Sequence, residues 1–117
     1  MIFIYRPASA GLAQDSFCLY DSKGRRIALI DFVLADGVLE IKNMLTESAF
    51  RRKGLMSYCF QGLLSFLGFT GRVITNSATR CGRGFLASYS FRFVPDALVW
   101  ERTITAGMLS TFNIFKD

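Results

Sequence analysis

The hydrophobic period of this chain changes abruptly at Gly54, and that change limits what it can fold into. From Val38 to Thr46 apolar and polar residues alternate, placing Leu39, Ile41 and Leu45 on one expected face and Glu40 and Lys42 on the other. That is the period of a half-buried strand. Beyond Gly54 the apolar positions are Met56, Cys59, Phe60, Leu63, Leu64 and Leu67, one face of a helix that ends before Gly68 or Gly71. Between the two lie Arg51-Arg52-Lys53. A strand running through a basic turn and a glycine into a helix belongs to a layered protein of sheet and helix.

The flanking segments extend that reading. Met1–Arg6 is strand-like, 7–15 is a loop rich in small residues, and Ser16–Tyr20 is a short strand. Asp21-Ser22-Lys23-Gly24 has turn chemistry, and Arg26–Leu34 pairs with the preceding strand as a hairpin. Asp36-Gly37 signals a second hairpin. After the helix, Arg72–Thr75 is a strand. Ala78, Cys81, Phe85, Leu86 and Tyr89 return to helical spacing, and Phe91–Val94 and Ala97–Thr105 are two further strands around Pro95-Asp96. The order predicts an α/β (α+β) fold in one domain, 1–117, with a βαβ unit in its second half.

Composition removes several chemistries. The absence of histidine excludes Ser-His-Asp and Cys-His catalysis and the usual zinc sites, so no metal is expected. Three cysteines without CxxC spacing, behind a start that lacks the form of a signal peptide, fit reduced thiols and a cytoplasmic setting. Gly54–Gly71 carries no charge, but Ser57, Gln61 and Ser65 form one polar stripe, which suits a half-buried helix better than a membrane span. The net charge of +5 is carried in short clusters. These suit a phosphorylated small ligand, and no aromatic-basic motif of the common nucleic-acid modules is present, so nucleic acid ranks last among partners.

Chemistry concentrates at the strand-to-helix junction. The first turn of a helix offers unpaired N–H groups and the positive end of its dipole, and glycine lets an anion come close. Arg51, Arg52, Lys53, Gly54, Leu55, Met56 and Ser57 therefore read as a cradle for a diphosphate.

At these residues the sequence resembles the GNAT superfamily of acyl-CoA N-acyltransferases, whose Arg/Gln-x-x-Gly-x-Gly/Ala motif is matched by Arg51-Arg52-Lys53-Gly54-Leu55-Met56 after the aromatic Phe50. The likeness runs from Val38 to Arg102, through Val73-Ile74-Thr75-Asn76, similar to the family's next strand with its terminal asparagine, and Tyr89-Ser90-Phe91, similar to its helix-ending Gly-Phe. Met56 and Ser90 stand where the family has a small residue and a glycine. The family's general-acid tyrosine would fall near Leu86, with Tyr89 or Ser88 as its substitutes. The 7–15 segment replaces one or two helices.

The resemblance implies a GNAT-like, mostly antiparallel sheet with few flanking helices. It implies acetyl-CoA as co-substrate, held by the cradle and by Asn76, and direct transfer of acetyl to an amine acceptor. Backbone N–H groups near Leu45 and Thr46 would hold the developing oxyanion, and Glu40 or Glu47 would act as base. The short front end also admits a second reading, a GNAT-like fold with reduced or no catalysis that acts as a protein-binding accessory or inhibitor. A homodimer or a protein partner would then complete the molecule.

Overall fold

The computed structural model describes residues 1–8, 14–51, 53–76 and 80–109, apart from the side chains of 80–82. In chain order the elements are β1 (Ile2–Arg6), β2 (Asp15–Tyr20), β3 (Arg26–Ala35), β4 (Val38–Thr46), α1 (Leu55–Leu67), β5 (Gly71–Thr75), α2 (Arg80–Ser88), β6 (Arg92–Val94), β7 (Val99–Ile104) and α3 (Ala106–Leu109). The strands form one sheet in the order β1-β2-β3-β4-β5-β7-β6. Every neighbouring pair is antiparallel except β4 and β5.

Local chemistry explains the hairpins. The Asp21 carboxylate accepts the N–H groups of Lys23 and Arg25, each at 2.9 Å, and so closes the turn between β2 and β3. Asp36 and Gly37 take φ of 55° and 75°, the pair of left-handed residues that a two-residue turn between twisted strands requires.

The core lies on one face of the sheet. Phe17, Leu19, Ala28, Ile30, Phe32, Leu39 and Ile41 pack there against Cys59, Phe60, Leu63 and Leu64 of α1 and Phe85 and Leu86 of α2. Met108 and Leu109 of α3 close against the same cluster. The four-residue α3 has no counterpart in the sequence reading, and Ala78 lies outside the described residues.

One expected face is corrected. Asp31 is opposite Asn43 while Phe32 is opposite Ile41, which leaves Lys42 as an extra residue, a β-bulge in β4. The bulge reverses the alternation. Leu39 and Ile41 are buried before it, and after it Met44 joins the core while Leu45 is 37% exposed on the far face.

The polar stripe of α1 is partly enclosed. The Gln61 side-chain amide donates to the Met108 carbonyl at 3.2 Å, and the Ser65 hydroxyl is buried without a partner among the described residues. Among the described residues no helix is long and apolar enough to cross a membrane.

Candidate functional site

The segment from β4 to α1 is fastened at several points. A second bulge, at Ile27 in β3, leaves its carbonyl to accept the Glu47 N–H at 2.9 Å. Arg26 beside it pairs with the Glu47 carboxylate at 3.1 Å. One turn of 3-10 helix, Ser48–Phe50, follows. Arg51 then reaches back, its Nε–H donating to the Thr46 carbonyl at 3.0 Å, which occupies one of the five guanidinium donors. The Phe50 ring lies between the Arg25 guanidinium, 5.6 Å from its centroid, and the Lys53 ammonium at 6.0 Å. Arg52 lies outside the described residues.

Gly54 caps α1 with φ 72° and ψ 12°. The Tyr58 N–H donates to the Gly54 carbonyl at 3.1 Å, so the amides of Leu55, Met56 and Ser57 precede the first bond of the helix ladder. No side chain caps this end and no acidic residue stands in its first turn. With Arg51 and Lys53 exposed alongside, positive charge meets the positive end of the dipole, an arrangement that an anion relieves. A Cβ at Gly54 would meet nothing within 4 Å, so the approach is open. The Met56 side chain packs against the core.

The sheet opens beside this helix start. β4 and β5 pair from Val38–Arg72 to Ile41–Thr75, and β4 then runs on to Thr46 while β5 ends. The bulge at Lys42 falls at this parting. Glu40 lies opposite Ile74, one residue before the pairing stops, half-buried and 3.1 Å from the Lys42 ammonium. Thr46 and Glu47 sit at the far end of β4, roughly 20 Å from Glu40 at the usual rise of a strand. Asn76 follows β5 directly and is exposed. The structure thus groups Thr46, Arg51, Lys53, Gly54, Leu55, Met56 and Ser57 at one end of the opening. It sets Glu40 at the other and keeps Glu47 with the first group.

Tyr89 occupies different surroundings. Its ring stands edge-on to Phe60 at 5.0 Å and packs with Phe85 and Phe91. Its hydroxyl donates to Gln61 Oε1 on α1. Burial pushes the phenol above its ordinary range, opposed in part by the Arg102 charge. Leu86, near which the resemblance would put a general-acid tyrosine, is fully buried. Cys59 is likewise buried, and desolvation drives its thiol far above the ordinary value, as in an inert core cysteine.

The bulge at Lys42 escaped the sequence reading. Its only signal there is that Met44 is out of step with Leu39 and Ile41.

Known protein-family profiles give no match to the chain, and no curated protein matches it. Solved structures do. A putative N-acetyltransferase from Lactobacillus plantarum superposes with a TM-score of 0.67 at 13% identity, covering 89% of this chain and 98% of the other. Tetrahymena GCN5 gives 0.63 at 13% identity, over 80% of this chain and 69% of that one. The GNAT family N-acetyltransferase YhbS of Escherichia coli, solved in complex with CoA, gives 0.58 at 12% identity, over 81% and 61%. At such identities the likeness is one of fold.

Proposed function

We propose that this chain, which has the fold of the GNAT acetyltransferases, transfers an acetyl group from acetyl-CoA to an amine. The observation that carries the reading is an opening in the sheet along the second half of β4 with an anion-accepting helix start at its far end. The sheet parts after Ile41 and Thr75, and the uncapped, basic start of α1 stands beside the gap. An anionic diphosphate at Gly54–Ser57 would send the rest of the coenzyme along β4 toward the bulge. YhbS, of the same fold, is a protein solved with CoA.

Each residue then has a task. The amides of Leu55, Met56 and Ser57 donate to the diphosphate, and Arg51, Arg52 and Lys53 supply neutralising charge. Backbone N–H groups of β4 between the bulge and Thr46 face the thioester carbonyl. The amine nitrogen attacks the carbonyl carbon, a C–N bond forms and the C–S bond breaks. The proton that the attacking nitrogen loses passes to Glu40 directly or through water, and the leaving thiolate takes up that one proton, which restores the carboxylate. Both carboxylates are ion-paired at 3.1 Å, Glu40 with Lys42 and Glu47 with Arg26, and Glu40 is preferred because it stands at the parting of the strands whereas Glu47 sits beside the diphosphate. Asn76, at the end of β5, lines the other bank.

The test is isothermal titration with acetyl-CoA of wild-type protein, Gly54→Asn and Gly54→Asp. Asparagine tolerates the left-handed backbone and is neutral, so it controls for the added side chain. Binding in the micromolar range that survives in the asparagine variant and is lost in the aspartate variant is the expected result. A folded aspartate variant with undiminished affinity removes the cradle.

A second reading rests on the connection between β1 and β2. Residues 7–14 are too few for the two helices that build the acceptor side in longer GNAT proteins. A fold that binds a protein partner and has little catalysis fits that shortage. In that case wild-type protein would bind no acetyl-CoA and would co-purify with its partner.

A further inference from the structure

An open pocket of about 560 Å³ lies apart from the diphosphate cradle, lined by Asn76, Arg83, Phe93, Leu98 and Trp100. Phe93 and Trp100 face each other across β6 and β7, with ring centroids 5.5 Å apart. Phe93 is 45% exposed and Leu98 70% exposed. Leu98 also sits at φ 54°, where a branched apolar residue is strained and glycine or asparagine would not be. An apolar side chain held out at that expense, beside a tilted aromatic pair, suits a ring-bearing ligand. Arg83 is exposed on α2 and has no carboxylate partner among the described residues. It is the cationic donor of the pocket and suits a carboxylate.

The pocket adjoins the opening of the sheet. Trp100 pairs with Thr75, and Thr75 with Ile41, so two strand spacings, roughly 10 Å, separate it from β4. We propose that this pocket binds the amine acceptor, and that the acceptor is a free α-amino acid with an aromatic side chain. The ring lies among Phe93, Leu98 and Trp100, the carboxylate meets Arg83, and the α-amine is turned toward the gap between β4 and β5, where Asn76 borders the coenzyme. The acceptor role rests on the acetyl-transfer reading; binding to the pocket does not.

Trp100 is the only tryptophan of the chain, so its emission reports on the pocket directly. Titration with L-phenylalanine, without acetyl-CoA, is expected to change that emission saturably. Phenethylamine, which lacks the carboxylate, should bind about tenfold or more weakly, and Arg83→Gln should weaken L-phenylalanine by a similar factor. No change in emission, or equal affinity in the exposed Arg83→Gln variant, overturns the pocket. With acetyl-CoA added, wild-type protein should form N-acetylphenylalanine. Its absence, in protein that calorimetry shows to bind the coenzyme and emission shows to bind the amino acid, overturns the acceptor role alone.

Discussion

Gly54 and Gly62 serve one helix for opposite reasons. Gly54 has open space around it but a backbone that only glycine adopts freely, with φ 72°. Gly62 has no such backbone constraint, but a Cβ there would come within 2.5 Å of the Phe3 ring. That ring is stacked on Phe17 at 5.1 Å and leans on Tyr58 at 5.4 Å, so it has little room to retreat. Gly62→Ala gains about 1 kcal/mol of helix propensity and loses roughly 1–3 kcal/mol to overpacking. A net loss near 1 kcal/mol is expected, read as a fall of about 4 °C in thermal midpoint. A midpoint that rises would mean that the ring yields. The acid–base residues separate in the same way. If Glu40 takes the amine proton, Glu40→Gln should lower kcat by a factor of about 10²–10⁴ with the KM for acetyl-CoA little changed. Glu47→Gln and Tyr89→Phe should stay near wild-type turnover, the latter losing about 1 kcal/mol of stability as Gln61 Oε1 loses its donor. Turnover that falls with Tyr89→Phe and not with Glu40→Gln would transfer the role.

Among the elements, β7 is tied to both its neighbours by one carboxylate. Glu101 accepts Arg72 of β5 and Arg92 of β6, each at 2.8 Å. These hydrogen bonds, Arg72 first, hold its carboxyl below the usual carboxylate range. A group depressed in the folded state stabilises the fold above its unfolded pKa, and that contribution disappears as the pH falls through the lowered value. Glu101→Gln should therefore melt lower than wild type near pH 7 and show a flatter decline between about pH 5 and pH 3, followed by thermal melts at each pH. Parallel acid limbs would mean that the bridge does not couple to folding. Strand and helix periods made most elements legible in the sequence, and the strand-to-helix junction was legible because its residues are contiguous from Thr46 to Ser57. Leu45 was set on the wrong face because an extra residue at Lys42 leaves no mark except Met44 out of step. The short α3 was illegible because four residues hold little more than one helical turn. The pocket was illegible for a different reason: positions 76, 83, 93, 98 and 100 lie on or beside β5, α2, β6 and β7, and meet only through the pairing of β7 with both neighbours and the placing of α2.

At the scale of the molecule, the sheet is two antiparallel blocks, β1 to β4 and β5 with β7 and β6, joined by the single parallel pairing of β4 with β5. A net charge of +5 favours encounter with an anionic coenzyme at low salt. Acetyl-CoA at about 100 times its Kd should stabilise the fold by about 2.7 kcal/mol, visible as a raised thermal midpoint in wild type and absent in Gly54→Asp. An equal rise in both would place the coenzyme elsewhere. That single pairing has a mechanical consequence. α1 rides on β2, β3 and β4, so the second block is joined to the first by a short seam and by what α1 touches in it: Phe85, Tyr89 and Phe91 against Phe60, and Tyr89 and Met108 on Gln61. Were that seam to yield to a guest in the gap, the guest would act as a shim whose thickness tilts the second block. Trp100 and Phe93 would travel with that block, so the shape of one recess would be geared to the filling of the other.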